Sequence, residues 1–319
     1  MALGRSKSYV QVCQHSAGFE SWREVQTGRM TFSLEVELPN ELQLIADEVS
    51  RELHRLGPNP RVGVAYSGGV DSAVLAALVM RAIGAESTVG LLAISPSLAR
   101  RERRQAHRQA GLMGLKLIEF ETEELADENY AENPVDRCYF CKDEMFKKID
   151  ESVVGEFSLD AIAYGENADD AKRPDRPGAE AAREHEVLRP LATAGASKAQ
   201  VRQIGKLMGL PSAAKPAAPC LASRVPHGEQ ITAEKLHQID LAEDAVLALG
   251  FSDCRVRHHG EIARVEVPAD EFSKLADQAI RKALQAGVLA AGFKYVTVDL
   301  AGMQSGAFTL QILNAKGAA

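Results

Sequence analysis

Arg61-Val-Gly-Val-Ala-Tyr-Ser-Gly-Gly-Val-Asp-Ser72 decides how the rest of the chain is read. Val62 to Tyr66 is an apolar run of strand length. It breaks at Ser67-Gly68-Gly69, and an apolar helix begins near Asp71-Ser72 and runs through Ala73-Val-Leu-Ala-Ala-Leu-Val-Met80. A strand, a glycine turn and a helix in that order can build an anion site. Glycine lets the backbone approach a ligand, and the N–H groups of the first helical turn point at it with the positive end of the helix dipole. Ser67 and Ser72 add hydroxyl donors, and Asp71 suits a hard cation such as Mg²⁺. The stretch lacks the lysine of a GxxxxGK[ST] loop and does not match GxGxxG; a glycine turn that binds nothing is the plain alternative.

Outward from this turn, strands and helices alternate. Upstream, a helix of about residues 41 to 56 is capped by Asn40 and ended by Gly57-Pro-Asn-Pro60. Downstream come strands at Val89–Ile94, Leu115–Phe120 and Asp160–Tyr164, separated by helices of about 98 to 113 and from Cys141 to about 153. Four such repeats predict an α/β domain, a parallel sheet with helices on both faces. Ligands of such sheets sit beyond the carboxyl ends of the strands, where Ser67-Gly68-Gly69, Ser95 and Gly165-Glu166-Asn167 all fall. Lys172 to Gly178 reads as a mobile polar loop, followed by a helix of about 197 to 208. A Pro-rich stretch from Pro211 to Gly228 joins two domains and forms part of the active site. After Thr232 the pattern changes: a helix (about 233 to 249), strands near 253 to 257 and 261 to 267 around Gly260, a helix (about 270 to 287) and a strand from Lys294 to Asp299 predict a smaller α+β domain. The expected division is 1–37, a poorly ordered extension containing Trp22; 38–215, the turn-bearing domain; 216–231, the linker; and 232–319, the second domain.

With 45% apolar and 25% charged residues the composition is that of a soluble globular protein. No apolar stretch is long enough for a membrane span, and the first residues lack the apolar core of a secretory signal, so a cytoplasmic location is expected, with no membrane partner. A net charge of −7 excludes a broad positive field for nucleic acid, so a bound anion must be held by local donors. Arg100, Arg101, Arg103, Arg104, His107 and Arg108 form a basic stripe that could touch RNA or phosphate; the acidic balance favours a solvated helix face with Ala106, Ala110 and Met113 turned inward.

There are five cysteines. A cytosolic chain of this length does not predict a disulfide framework. Cys138 and Cys141 form a C-x-x-C pair at a loop-to-helix junction, either packed thiols or metal ligands. A structural zinc site needs four ligands, which would take a histidine such as His227 beside Cys220. A [4Fe–4S] cluster on three thiolates leaves one iron open to external sulfide. Cys220 lies among Lys215 and Arg224, whose charges would activate its thiol if close; an ordinary loop cysteine is the alternative. Cys13 and Cys254 belong to no motif.

Ser67-Gly-Gly-Val-Asp-Ser72 resembles the pyrophosphate loop of ATP pyrophosphatases. Together with Gly165-Glu-Asn-Ala-Asp-Asp170, Arg189-Pro-Leu191 and Pro219-Cys-Leu-Ala-Ser-Arg224, it is similar to the LarE family over about residues 38 to 310. Members are ATP-dependent sulfur transferases of the pyridinium-3,5-biscarboxylic acid mononucleotide, on the route to the nickel-pincer nucleotide cofactor. The resemblance implies ATP and Mg²⁺, adenylation of a pyridinium carboxylate with release of pyrophosphate, and displacement of AMP by sulfur to leave a thiocarboxylate. It implies nucleotide binding by Ala65, Tyr66, Ser67, Gly68, Gly69, Asp71, Ser72, Ile94, Gly165, Asn167 and Arg189. For Tyr66 and Ile94, which would flank adenine, strand core is the alternative, and for Arg189 a surface ion pair. Cys220, Asp71 and Arg224 take catalytic roles, and Ser223, Arg224, Arg257, Glu243 and Glu266 bind substrate, with structural roles open for the last three. In one branch Cys138, Cys141 and Cys220 hold a [4Fe–4S] cluster that carries the sulfur, the version all three cysteines favour; in another, Cys220 gives up its own sulfur. The implied partners are the small-molecule pyridinium mononucleotide, sulfide or a sulfur-donating protein, and further copies of the chain in a trimer or hexamer built through the second domain. A tRNA thiolase and a zinc-holding nucleotide-binding regulator are the competing classes.

Overall fold

A computed structural model describes residues 10–12 (backbone only), 31–172, 178–216 and 218–303. Cys13, Trp22, most of the expected extension and most of the expected polar loop lie outside the described residues. The strands are β1 (Val10–Val12), β2 (Val62–Ala65), β3 (Thr88–Ile94), β4 (Lys116–Glu121), β5 (Ala161–Tyr164), β6 (Arg255–His259), β7 (Ile262–Glu266) and β8 (Tyr295–Val298). The helices are α1 (Asn40–His54), α2 (Val70–Ile83), α3 (Arg100–Met113), α4 (Glu128–Ala131), α5 (Arg137–Lys148), α6 (Val154–Phe157), α7 (Ala168–Ala171), α8 (Gly178–Glu184), α9 (Pro190–Thr193), α10 (Lys198–Leu207), α11 (Ala233–Ala248) and α12 (Gln278–Ala290).

The chain forms two compact units. The first holds a sheet of order β1-β4-β3-β2-β5, in which β2 to β5 are parallel and β1 lies antiparallel on the β4 edge. All four residues of β2 are buried, as strands covered on both faces require. Register sets Ala65 beside Leu91 and Leu91 beside Ile118, and these share one core with Phe146 of α5 and Ala181 and Ala182 of α8. α2 packs on β2 and β3 and against α1 and α10, with every residue from Ser72 to Met80 buried. Each fully buried Leu or Val there contributes roughly 1.5–3 kcal/mol. The strands β2, β3 and β4 advance to one side and β5 returns to the other, so the sheet's switch point lies between the carboxyl ends of β2 and β5.

The second unit is a mixed sheet, β6-β7-β8, with α11 and α12 packed together and α11 against β6. β6 and β7 form a hairpin in which His259 faces Ile262 across the expected Gly260 turn, and β8 runs parallel to β7. This unit also takes in residues 96–101 and 124–137 from the first half of the chain. Neither segment has a compositional shift, so the local sequence gives no mark of its destination.

Several elements differ from expectation. α1 starts at Asn40, with Pro39 before it supplying only its carbonyl, 2.8 Å from the Leu42 N–H. The single helix expected over 270 to 287 is a 3₁₀ segment, Ala269–Ala276, followed by α12, because the Asp277 side chain accepts from the Ala279 N–H and starts a new helix. α5 starts at Arg137, earlier than expected, so it carries the C-x-x-C pair; it passes at Lys148 into a π segment, Ile149–Val153, whose buried Ile149 and Val153 stay against the core. α8 follows the polar loop unannounced, held by buried Ala179, Ala181 and Ala182. The basic stripe is a largely exposed helix face with Ala106, Ala110 and Met113 buried as expected, and part of it is also paired: in the second unit Arg100 donates to Asp240 (2.6 Å) and Arg101 pairs with Glu243, while in the first unit Arg103 and His107 share Glu119.

Candidate functional site

The turn after β2 is closed by its own hydroxyls. Ser72 Oγ accepts from the Ser67 N–H (3.2 Å) and donates to the Gly69 carbonyl (3.1 Å), and the two serine hydroxyls lie 3.2 Å apart. Gly68 has φ +73°, and a Cβ there would stand 2.9 Å from Ala106 Cα of α3; only glycine meets both conditions. From the β5 side Gly165 comes as close: a Cβ on it would meet the Ser72 nitrogen at 2.9 Å. The two loops of the switch point are therefore in backbone contact.

Asp71, in the first turn of α2, joins them chemically. Its Oδ1 accepts from Asn167 Nδ2 (3.1 Å), and its Oδ2 pairs with Lys198 Nζ. Asn167 is fully buried and caps α7, accepting from the N–H groups of Asp169 (3.1 Å) and Asp170 (3.0 Å). Asp169 in turn accepts from the Lys198 N–H at 2.8 Å. Lys198 is the site residue that sequence reading missed. It had a signal: a lysine directly after a capping Ser197 puts a cation at the positive end of α10, which is unfavourable unless an anion faces it.

The remaining expected nucleotide contacts have various surroundings. Tyr66 is buried, its hydroxyl accepts from Gln109 Nε2 (3.1 Å), and burial pushes its pKa up to about 12. Gln109 also reaches the Gly68 carbonyl (3.3 Å) and accepts from the Ser212 N–H (3.0 Å), so it buttresses the turn from below. Ala65 is buried at the end of β2, and Ile94 is half-buried at the end of β3. Arg189 donates to the buried Glu166 at 3.1 Å.

In the second unit Cys220 is exposed at the start of a short 3₁₀ turn, Leu221–Arg224. Its carbonyl accepts from Ser223 Oγ (2.7 Å) and from Arg224 (3.1 Å), which also reaches the Pro219 carbonyl (2.6 Å). Beneath, Arg224 forms a two-point pair with the fully buried Glu243 (2.8 and 3.2 Å), which Arg101 and the Val256 N–H (3.0 Å) also hold. Burial opposes the charge of Glu243, but Arg224 and Arg101 outweigh it and hold its carboxyl below the ordinary value. Arg257 makes a second two-point pair with the buried Glu266 (2.9 Å twice) and donates to the Ser223 carbonyl (2.9 Å). The expected substrate residues Ser223, Arg224, Glu243, Arg257 and Glu266 are thus brought together as the clamp that shapes the Cys220 loop. Buried Arg255 stands among them, its pKa lowered by burial and by Arg257 and Arg224. Arg101, Arg224, Arg255 and Arg257 stand in one charged cluster with the carboxylates of Glu243, Glu266 and Asp253.

Of the cations expected to act on the Cys220 thiol, Lys215 pairs with Glu102 in the first unit, while Arg224 pairs with Glu243 and also interacts electrostatically with Cys220. His227, the candidate zinc ligand, lies 3.5 Å from the Arg137 guanidinium; burial and that charge lower its pKa. Cys138 is exposed and Cys141 half-buried, both near the start of α5. Among the described residues no group of three or more His, Cys, Asp or Glu side chains is placed to hold a metal ion.

The parallel sheet, its switch-point turn and the appended mixed-sheet unit define an α/β protein of the PP-loop type. No protein-family model matches the chain. It is 40% identical over 250 residues, 78% of this chain and 92% of the relative, to "Uncharacterized protein slr1717" of Synechocystis sp., and it belongs to the same family as that protein. It is 29% identical over 248 residues (77% of this chain, 88% of the relative) to pyridinium-3,5-bisthiocarboxylic acid mononucleotide synthase of Lactiplantibacillus plantarum, which supports membership of the LarE family. A third relative, "Uncharacterized protein MJ0830" of Methanocaldococcus jannaschii, is 26% identical over 242 residues (76% and 90%).

Proposed function

We propose that the protein is an ATP-dependent sulfur transferase that adenylates a pyridinium carboxylate mononucleotide, releases pyrophosphate and forms a thiocarboxylate. The observation that carries this reading is Asp71, fixed by Asn167 and Lys198 at the sheet's switch point beside the glycine turn. The likeness to the L. plantarum synthase supports the substrate class. A carboxylate is a poor electrophile until its oxygen becomes part of a good leaving group, which AMP supplies. The N–H groups at the start of α2 and the ammonium of Lys198 would stabilise the negative charge of departing pyrophosphate. Magnesium typically takes one or two carboxylates plus phosphate oxygens, and Asp71 fits that need; the ion would supply charge neutralisation at the pyrophosphate. Ser223, Arg224 and Arg257, beside the Cys220 loop, would contact the anionic groups of the substrate.

For the sulfur, the three thiolates Cys138, Cys141 and Cys220 have the chemistry to ligate a [4Fe–4S] cluster, which would supply the sulfur atom; no step is routed through it. Cys220 as its own donor is the second reading, favoured by its exposed thiol on a loop whose backbone is clamped from below. A tRNA thiolase is less well supported, since Arg100, Arg101 and Arg103 are all held by carboxylates. The test is mass spectrometry of the product after anaerobic incubation with the pyridinium mononucleotide, MgATP and sulfide. One oxygen replaced by sulfur, dependent on ATP, is the expected result; an unchanged substrate refutes the assignment.

A further inference from the structure

The peptide between Gly68 and Gly69 joins two residues without side chains, so no Cβ stops it from turning over as a unit. Its orientation decides what the turn offers a ligand, because in a trans peptide the carbonyl and the N–H point opposite ways. Gln109 of α3 fixes that orientation. Its side chain is buried, with Nε2 donating to the Tyr66 hydroxyl (3.1 Å) and the Gly68 carbonyl (3.3 Å) and Oε1 accepting from the Ser212 N–H (3.0 Å). The amide has one workable direction: the Ser212 N–H needs an acceptor, so Oε1 faces it and both Nε2 hydrogens face Tyr66 and the turn. With the Gly68 carbonyl held towards Gln109, the Gly69 N–H is directed away from it. There it meets Ser67 Oγ at 3.4 Å, beyond the usual length of such a bond, about 2.7–3.2 Å. A donor so weakly engaged, at the cap position of α2, can exchange its partner for an oxygen of an anion.

We propose that Gln109 is a positioning residue for pyrophosphate: acting through the Gly68 carbonyl, it holds the Gly69 N–H towards the bound anion. The proposal rests on the reading of the turn as the place where ATP is split, and it extends that site to a side chain that touches no ligand. The chemistry of position 109 is narrow. An apolar side chain of the same length fills the space but holds no carbonyl. A carboxylate accepts from Ser212 but repels the Gly68 carbonyl. An amide donates on one side and accepts on the other, which both neighbours require. Cleavage between the α- and β-phosphates divides the nucleotide into pyrophosphate, on the turn, and AMP. A fault confined to the Gly68–Gly69 peptide therefore weakens the first product and spares the second.

Equilibrium titrations of the full-length protein with magnesium pyrophosphate and with AMP test this, at about pH 8, where carboxyl groups are ordinarily ionised. Gln109→Met removes donor and acceptor together; Gln109→Glu keeps the length and the acceptor for Ser212. Both are expected to bind pyrophosphate about tenfold more weakly, and AMP within about twofold of the parent, since one hydrogen bond to a charged ligand is misdirected. Thermal unfolding shows which variants are folded. Unchanged pyrophosphate affinity in folded protein overturns the proposal. So does an equal loss for pyrophosphate and AMP, which marks a general loosening of the site. A loss in Gln109→Met alone also overturns it, because the Ser212 contact then carries the effect. A parent that binds no pyrophosphate refutes the ATP-splitting reading and the proposal with it; a parent that binds pyrophosphate no better than its folded variants refutes the proposal alone.

Discussion

Asp71 and Glu243 are both carboxylates held by cations, but burial gives them different work. Asp71 is partly open, so the bond to Lys198 can be exchanged for a ligand at modest cost. Lys198→Ala is therefore expected to leave the fold intact while lowering the rate of pyrophosphate release about a hundredfold, since it removes a charge directed at the leaving group. Steady-state release against an unchanged urea midpoint checks this. Glu243 is fully buried and shared by Arg224 and Arg101. Glu243→Gln strands two guanidinium groups and should cost about 3–5 kcal/mol in urea unfolding. Because the folded pKa of Glu243 lies below its ordinary 4.5, its contribution is present above that pH and is lost as pH falls through the lower, folded value. The stability of Glu243→Gln should accordingly fall less on acidification than that of the parent.

At the scale of elements, the glycine turn and β6 make separate demands. Gly68→Ala places a side chain at φ +73° and against Ala106, so a loss of about 1–3 kcal/mol and of nucleotide affinity is expected, read by thermal unfolding with and without MgATP. On β6, His258 is buried against Phe293, with Nε2 3.1 Å from Gln238, and its pKa falls from 6.5 to about 4 through burial, with Lys235 adding to it. Between those values the unfolded chain binds the proton that the folded chain refuses, so stability should drop as pH falls from 6.5 towards 4 and level off below. Urea titrations of the parent and of His258→Phe across that range should show the slope flattened in the variant. The β2–turn–α2 unit was legible in the sequence because its period changes abruptly at two glycines, and the order of later strands followed from the same alternation. α8 was not, since a short alanine-rich helix after charged residues has no strong period; nor was the break at Asp277, where one capping side chain outweighs a continuous helical pattern. Lys198 was missed because its partner lies 127 positions away, and the clamp under Cys220 because its arginines and glutamates meet only in the folded second unit.

Across the whole molecule, no helix among the described residues is long and apolar enough to cross a membrane. The second unit exposes Ile262, Leu289 and Tyr295, apolar side chains that self-association would cover. A homo-oligomer is expected by light scattering coupled to gel filtration, with Tyr295→Lys shifting it towards smaller species; a parent that elutes as a monomer at all concentrations would contradict this. The proposed function rests on splitting ATP between its α- and β-phosphates, the step that Asp71, Lys198 and the turn would serve. The most direct measurement is the nucleotide products formed with MgATP and pyridinium-3,5-biscarboxylic acid mononucleotide. AMP and pyrophosphate in equal amounts, formed only when the mononucleotide is present and lost in Asp71→Asn, is the expected result. ADP and phosphate, or no cleavage by folded protein, would contradict it.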